Sequence, residues 1–471
     1  MKMFLSIGLM SGTSMDGIDA ALIRTDGEHK IEELGHVFLP YNDECPIFHS
    51  LLKAAEYVVC MNEGNIEAAH QMDFNEAFYD YLRNVIQMNS EDASNMVCQA
   101  CVYMHNNPDI PITLAEVICS STELHSKAVQ KLLKVTNYRA NQIDIIGYHG
   151  QTLFHRPATG ITIQVGNGQE LADALNIPVI NDFRSRDVAH GGQGAPFAPL
   201  YHQALAIRDN LCPLAVVNCG GIANISLIGG IDYESLLGYD TGPGNGLVDL
   251  FVKQRTNFGE HMDHDGKYGG KGKTHYSIIE KLYQYSIIRG GENYFKSKPP
   301  KSLDVNDFKL IPELNNLSIE DGCATLEAFT ADSIVTSLNL VSTFQPKHWV
   351  LAGGGWHNPV IRQELETRVK AKFGNDTKVH LAEEIGWNNK AMEAQIFAYL
   401  AVRSLQNQPI SVPETTKVPR PLSGGHAYTP TEGVITEKVK GALRKNPDVL
   451  DGYQKQDMLS DSYQSAKSNT I

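Results

Sequence analysis

No apolar run in the 471-residue chain reaches the roughly 18 residues that a membrane-spanning helix needs. Residues 1–10 also lack the basic start and cleavage site of a signal peptide, so a cytoplasmic protein is expected. Basic residues are outnumbered: 40 Lys and Arg against 54 Asp and Glu give a formal net charge of −14. A nucleic acid or an anionic membrane surface would call for clustered cations, so neither is expected as a partner, and a small molecule is. Cysteine is sparse, and Cys45, Cys60, Cys98, Cys101, Cys119, Cys212, Cys219 and Cys323 do not form a secreted-type disulfide framework. Cys98-Gln99-Ala100-Cys101 with His105 is half of a zinc pattern without its second pair of ligands, and a buried helical pair of thiols is the simpler expectation.

What remains is a globular composition, 42% hydrophobic and 20% charged, long enough for two domains. The chain opens with an apolar strand over 3–10, a polar tip over 11–17, and a second strand over 18–23. In the tip, Gly12 and Gly17 free the backbone, Thr13 and Ser14 bring hydroxyls, and Asp16 with Asp19 just beyond bring carboxylates. Such a tip suits a phosphate and its magnesium ion, or is an ordinary hairpin turn. A third strand is expected over 31–40 and a helix over 67–88, with Phe74, Phe78, Tyr81, Leu82 and Val85 at helical spacing. Two more helices are expected over 90–133, broken at Asn106-Asn107-Pro108, with the second starting at Ser120; no chemistry is visible there, and the segment reads as an insertion.

Chemistry resumes where the strand 143–146 runs into His149-Gly150-Gln151-Thr152, read as a turn at a strand end. Gln151 could grip a sugar hydroxyl, and His149 is expected to be structural. Further on come a strand over 162–165, a helix over 168–175 and a strand over 179–180, which ends in Asn181-Asp182-Phe183-Arg184-Ser185-Arg186-Asp187 before a glycine loop over 191–196. Asp182 is a candidate general base beside arginines that hold an anion or a sugar, with the loop free to close; a surface ion-pair cluster is the alternative.

The second half restarts the pattern: a strand over 213–218, the turn Cys219-Gly220-Gly221-Ile222-Ala223-Asn224, and a strand over 225–228. Two lobes of related fold are expected. Asp240-Thr241-Gly242-Pro243-Gly244-Asn245 reads as a second glycine turn, opening a helix over 247–254 whose N-terminus favours phosphate. Gly353-Gly354-Gly355-Trp356-His357-Asn358 is a third, between a strand over 349–352 and a helix from Pro359. The segment 266–274 ends like a Walker A loop but has Lys267 where its first glycine should be, and His261, Asp263, His264 and Asp265 lack metal-ligand spacing; both read as solvated loops.

The stretch Met10-Ser11-Gly12-Thr13-Ser14-Met15-Asp16-Gly17-Ile18-Asp19, then His149-Gly150-Gln151-Thr152, Asp182-Phe183-Arg184, Gly192-Gln193-Gly194-Ala195-Pro196, Gly220-Gly221-Ile222-Ala223-Asn224 and the turn at 240–245 resemble, in this order, the anhydro-N-acetylmuramic acid kinases. With the turn at 353–358 the resemblance reaches about Leu405. It implies an α/β fold of two ribonuclease H-like lobes, as in actin, heat-shock chaperones and sugar kinases, with a nucleotide cleft between them. It also implies that water opens the 1,6-anhydro ring of the sugar while the γ-phosphate of ATP passes to O6, in peptidoglycan recycling.

By position, Asp182 would be the catalytic base, and Gln151, Thr152, Asp182 and Arg184 would bind the sugar. The residues Gly12, Thr13, Ser14, Met15, Asp16, Gly17, Ile18 and Asp19 would hold ATP, together with Gly221, Asn224, Asp240, Gly242, Gly244 and Asn245, while Gly353, Gly354 and Gly355 would lie against adenosine. Asp16, Asp19 and Asp240 are the Mg²⁺ candidates, and a homodimer is implied. Two departures stand out: Lys301-Ser302 runs into Leu303-Asp304-Val305, and Ala328, beside Glu327, replaces a glutamate expected at that position. The alternatives are a levoglucosan-type kinase and a non-catalytic sugar or nucleotide sensor of the same fold. Lobes over 1–195 and 196–410 are expected, with a helix at about 388–405 packing back on the first, then an extension over 411–471 with a disordered polar tail.

Overall fold

The computed structural model describes residues 2–286, 291–303, 307–433 and 435–449. In chain order the strands are β1 (Phe4–Ser11), β2 (Gly17–Thr25), β3 (Ile31–Pro40), β4 (Ile145–Arg156), β5 (Ile161–Val165), β6 (Val179–Asn181), β7 (Leu214–Cys219), β8 (Ile222–Ile228), β9 (Leu236–Pro243), β10 (His348–Ala352), β11 (Lys378–Leu381) and β12 (His426–Tyr428). The helices that bear on the site are α1 (Leu114–Thr136), α2 (Gly168–Leu175), α3 (Gly246–Arg255), α4 (Ile319–Ser337), α5 (Pro359–Phe373), α6 (Met392–Leu405) and α7 (Glu437–Lys445).

The chain forms two compact units. Unit 1 comprises Met1–Phe197, Ala391–Pro413 and Lys417–Ile471; unit 2 comprises Ala198–Lys390 and Glu414–Thr416. Helix α6 falls in unit 1. Beyond 411, apart from Glu414–Thr416, the described chain is part of unit 1: β12 pairs antiparallel with β6, and α7 is formed. Residues 450–471 lie outside the described residues.

Unit 1 holds a sheet in the order β12-β6-β4-β1-β2-β3, with β5 on β4. Its β1, β2 and β3 are antiparallel, whereas β4 runs parallel to β1 and β6 parallel to β4. Unit 2 has the order β11-β10-β7-β8-β9, again with three antiparallel strands followed by two parallel ones. Both sheets thus share one topology, which explains the recurring strand, glycine turn and strand at the head of each half.

The long helix α6 is buried along its whole length from Ala394 to Leu405. It packs on β1, β2 and β4. Close approach needs glycine in the sheet: a Cβ on Gly8 would lie 1.7 Å from the Ala394 carbonyl oxygen, and one on Gly147 would lie 2.0 Å from that of Phe397.

Four local expectations are corrected. His149 to Gln151 lie inside the continuous strand β4 rather than in a turn; Gly150, at φ 75°, absorbs the irregularity in the β1–β4 register. Asp240 to Pro243 likewise complete β9 instead of turning. The helix expected over 67–88 is broken, because Asp73 accepts the Glu76 amide and caps a new helix at Phe74–Asp80. Helix α1 starts at Leu114, ahead of Ser120, because Thr113 and Glu116 form a capping box. Cys101 is buried and Cys98 exposed, and among the described residues no group of three His, Cys, Asp or Glu is placed to hold a metal.

Candidate active site

In unit 1 the β1–β2 tip is closed by the Met15 amide donating to the Gly12 carbonyl at 3.1 Å. Met15 sits at φ 54° with its side chain fully buried, so it plugs the turn into the core and leaves Thr13, Ser14 and Asp16 exposed. The Ser14 hydroxyl donates to Asp16 Oδ1 at 2.7 Å, and Lys53 Nζ donates to the Thr13 carbonyl at 3.2 Å. Gly17 and Ile18 are buried in β2 and offer only backbone. Asp19 is engaged by His36 Nε2 at 2.7 Å.

Gln151 is fully buried, and its Nε2 donates to the Gly12 carbonyl at 3.1 Å, tying the tip to β4. Its Oε1 is a buried acceptor without a hydrogen bond, the kind of orphan a ligand donor satisfies. Thr152 Oγ1 accepts from Gln164 Nε2 at 3.3 Å.

Asp182 lies just past β6 with φ 55°, a left-handed conformation that Asp and Asn tolerate better than most residues. The Ser185 hydroxyl donates to its Oδ1 at 2.5 Å, and His426 Nδ1 lies 3.3 Å from its Oδ2. Burial pushes this carboxyl up, but the contacts from His426 and Ser185 outweigh it and hold Asp182 below the ordinary carboxylate range. It is therefore ionised and able to take a proton at neutral pH.

Arg184 does not point beside Asp182. Its Nε and Nη2 lie 3.1 and 3.0 Å from His149 Nε2, and Nη1 donates to the Gly194 carbonyl at 2.6 Å. Accepting from a guanidinium fixes His149 as the neutral tautomer, with Nδ1 donating to its neighbour's carbonyl at Gly150, 2.7 Å away. Burial, then Arg184, hold His149 well below the usual histidine range, so its role is structural. The glycine loop is pinned rather than free, for Asp187 Oδ1 accepts the Gly194 amide at 2.5 Å and the Asp187 carbonyl accepts the Gly192 amide at 2.9 Å.

In unit 2 the glycine turns interlock. The Gly244 amide donates to the Gly221 carbonyl at 2.9 Å, and the Asn245 amide to that of Gly220 at 2.8 Å. Asn245 Nδ2 donates to Asp249 while its buried Oδ1 has no hydrogen bond, and Asn224 pairs with Asp240 across β8 and β9. Gly242 backs onto Ser333 of α4, whose Oγ a Cβ would approach to 2.8 Å. The third turn joins them: a Cβ on Gly353, at φ 94°, would meet the Cys219 carbonyl at 2.6 Å, and one on Gly355 the Cys219 thiol at 2.5 Å. At Gly354 a Cβ would meet nothing within 4 Å, leaving open space there. Asn389 Oδ1 accepts the Gly353 amide at 2.7 Å.

Asp240 is engaged by its surroundings. Its Oδ2 accepts the Leu303 amide at 2.7 Å, its own amide donates to the Lys301 carbonyl at 2.9 Å, and the Tyr294 hydroxyl donates to its carbonyl. Burial pushes the carboxyl up to about 7 against the pull of the Leu303 amide and Lys301. Asp240 thus anchors the segment where the sequence departs from the family pattern; Asp304 and Val305 of that segment lie outside the described residues. Glu327, next to the other departure at Ala328, is fully buried, with Oε1 accepting from Asn358 Nδ2 at 2.6 Å. Burial, reinforced by the Asp263 carboxylate, pushes it up to about 9. Asp263 itself accepts the amides of Tyr268 and Gly269 at 3.0 and 2.9 Å, which makes it a loop anchor.

Two acidic-site residues were missed by sequence reasoning. His426 arrives on β12 from far along the chain. Glu393, in the first turn of α6, is raised by burial and Asp19 while Arg184 opposes the rise; its only signal was the single acidic residue of a largely apolar helix.

The shared topology of the two sheets and their glycine turns define a protein of the ribonuclease H-like class of actin-type ATPases and sugar kinases. The Anhydro-N-acetylmuramic acid kinase family model matches residues 4–115 and 106–430. Similar relatives include the anhydro-N-acetylmuramic acid kinase of Zymomonas mobilis subsp. mobilis, 39% identical over 424 residues, which cover 90% of this chain and 99% of that one. The kinase of the same name from Rhizorhabdus wittichii is 39% identical over 430 residues, covering 91% and 100%. This chain belongs to the anhydro-N-acetylmuramic acid kinase family. Among solved structures it resembles a ROK hexokinase from Thermus thermophilus at 13% identity and TM-score 0.31, over 85% of this chain and all (100%) of that one, a likeness too remote to add to the topology.

Proposed function

We propose that this protein is an ATP-dependent kinase that opens the 1,6-anhydro bridge of anhydro-N-acetylmuramic acid with water and phosphorylates O6, giving N-acetylmuramic acid 6-phosphate. The observation that carries this reading is Asp182, an ionised carboxylate at a strand end, held by Ser185 and His426. In the proposed reaction Asp182 takes a proton from water as the water oxygen bonds to C1. The C1–O bond of the bridge breaks, and its oxygen bonds to the γ-phosphorus as ADP leaves. The proton held on Asp182 then passes to solvent, restoring the carboxylate. A positioned base contributes typically 10²- to 10⁴-fold, and positioning and charge stabilisation around the phosphates supply the rest.

The exposed hydroxyls of Thr13 and Ser14 and the glycine backbone of the tip are assigned to the phosphates, and Gly221, Gly244 and Gly353 to Gly355 to the nucleotide. Oxygen donors suit Mg²⁺, which would neutralise phosphate charge when bound. Asp16, exposed beside Ser14, fits this better than Asp240, and Asp19 would have to share its carboxylate with His36. Gln151, with its free buried Oε1, is assigned to the sugar. Arg184 is assigned to shape the sugar site through the Gly194 loop it anchors. The enzyme is placed in the cytoplasm as a homodimer; among the described residues, no helix is long and apolar enough to cross a membrane.

A coupled ADP assay with anhydro-N-acetylmuramic acid and levoglucosan tests the reading. Turnover of the first and its loss by at least about 10²-fold in Asp182→Asn, whose side chain keeps the left-handed backbone, are expected. Turnover of levoglucosan alone, or full activity of the variant, overturns it.

A further inference from the structure

Strand β12 is short and lies at the sheet edge, yet its register is well defined: His426 pairs with Asn181, Ala427 with Ile180 and Tyr428 with Val179. Ala427 is buried whereas His426 and Tyr428 lie on the other face. This places His426 level with the residue before Asp182, and its Nδ1 reaches Asp182 Oδ2 at 3.3 Å. The backbone before it is set by Gly425 at φ 85°, and a Cβ there would meet Ile180 at 2.6 Å, so strand and imidazole are seated together.

Arg184 and Asp187, two charged residues near Asp182 in sequence, are engaged elsewhere. On the helix Ser185–Ala189 that follows, Ser185 donates to Oδ1, while Asp187 turns its carboxylate to the Gly194 amide. Arg184, next but one in sequence, gives its guanidinium to His149 and Gly194. The partner that reaches Asp182 from a neighbouring strand is His426.

We propose that His426 is a positioning residue for this reaction: donating from Nδ1, it holds the Asp182 carboxylate in one orientation and keeps it ionised for proton abstraction. This is the logic by which a third group orients a catalytic base, here supplied by the C-terminal part of the chain. The inference rests on Asp182 being the base. Its physical content is a dependence on acidity. Burial alone would push the Asp182 carboxyl up, and the His426 contact is the largest influence drawing it down. An opposite charge at this range shifts a carboxyl by about 1 to 3 pH units, and the half-exposed position of His426 puts the expectation at the lower end.

The test is the pH dependence of kcat/KM for the anhydrosugar between pH 3.5 and 8.5 in wild type, His426→Ala, His426→Gln and Asp182→Asn. In His426→Ala the acid limb is expected to move up by about 1 pH unit, so that activity at pH 4.5 falls relative to pH 7.5 where the wild type holds it. His426→Gln, which keeps an N–H donor without the charge, is expected to recover kcat at pH 7.5 but not the low-pH activity. An acid limb in His426→Ala that superimposes on the wild type overturns the proposal, even if the rate falls, because a purely structural role would lower the rate without moving the limb. Should His426→Ala not fold, the limb of His426→Gln decides by the same criterion. An active Asp182→Asn would instead remove the base assignment, and this inference with it.

Discussion

Replacing Glu327 by glutamine should stabilise the protein, and increasingly so as the pH rises. The carboxyl is fully buried and held at about 9, far above an unfolded glutamate near 4.3. Between those values the folded state binds a proton that the unfolded state has released, so wild-type stability falls as pH rises through the window from about 4.3 to about 9. Each pH unit in it is worth up to about 1.4 kcal/mol, or about 3 kcal/mol from pH 5.5 to pH 8. Glutamine is permanently neutral and keeps the geometry: its carbonyl accepts from Asn358 Nδ2 as Glu327 Oε1 does, and its amide faces Asp263 where the carboxylic proton was. At about 2–4 °C per kcal/mol for a unit of this size, the melting temperature of Glu327→Gln should exceed that of the wild type by about 6–12 °C more at pH 8 than at pH 5.5. Thermal melts at the two pH values read this directly. A gap that does not change with pH, or a glutamine variant less stable at both, would show that Glu327 is ionised in the fold and refute the reasoning.

Gly244→Ala should weaken ATP binding and lower stability together. Its Cβ would fall 2.0 Å from the Gly220 carbonyl oxygen, and relief of that overlap breaks the Gly244 and Asn245 backbone bonds at a cost of about 2–4 kcal/mol, measurable as a fall in denaturation midpoint and a rise in KM for ATP. Lys438→Met should strand the buried Asp144 carboxylate, which pairs with the Lys438 ammonium and accepts the Leu5 amide at 2.8 Å; a loss of about 3 kcal/mol and faster proteolysis within α7 are expected, and an unchanged cleavage rate would count against the clasp.

Most strands of both sheets were legible because apolar runs were punctuated by glycine, whereas β9, β11 and β12 were not; the place of Asp182 just past a strand was legible because it follows such a run directly. The two misread turns share one cause. Gly150 inside β4 and Gly242-Pro243 at the end of β9 carry turn residues, but pairing with neighbours in the sheet overrides local preference. The helix breaks at Asp73 and Thr113 were written in capping side chains rather than in periodicity. At the site, the carboxylates were visible but not their partners: that Asp240 belongs to Leu303 and Lys301, that Arg184 serves His149, and that His426 reaches Asp182 depends on contacts between distant segments that no local pattern encodes.

The burial of α6 against Gly8 and Gly147 also sets a timetable for synthesis. Residues 198–390, nearly the whole of unit 2, emerge from the ribosome between the strands of unit 1 and the helix that covers them. Unit 2 is almost contiguous and can close as soon as it is made, whereas the first-made sheet must wait with β1 and β4 uncovered until residue 405 has appeared, and longer still for β12 and α7. The element that begins the protein is thus among the last to be finished, which makes the newborn chain dependent on whatever shields apolar strands during that interval.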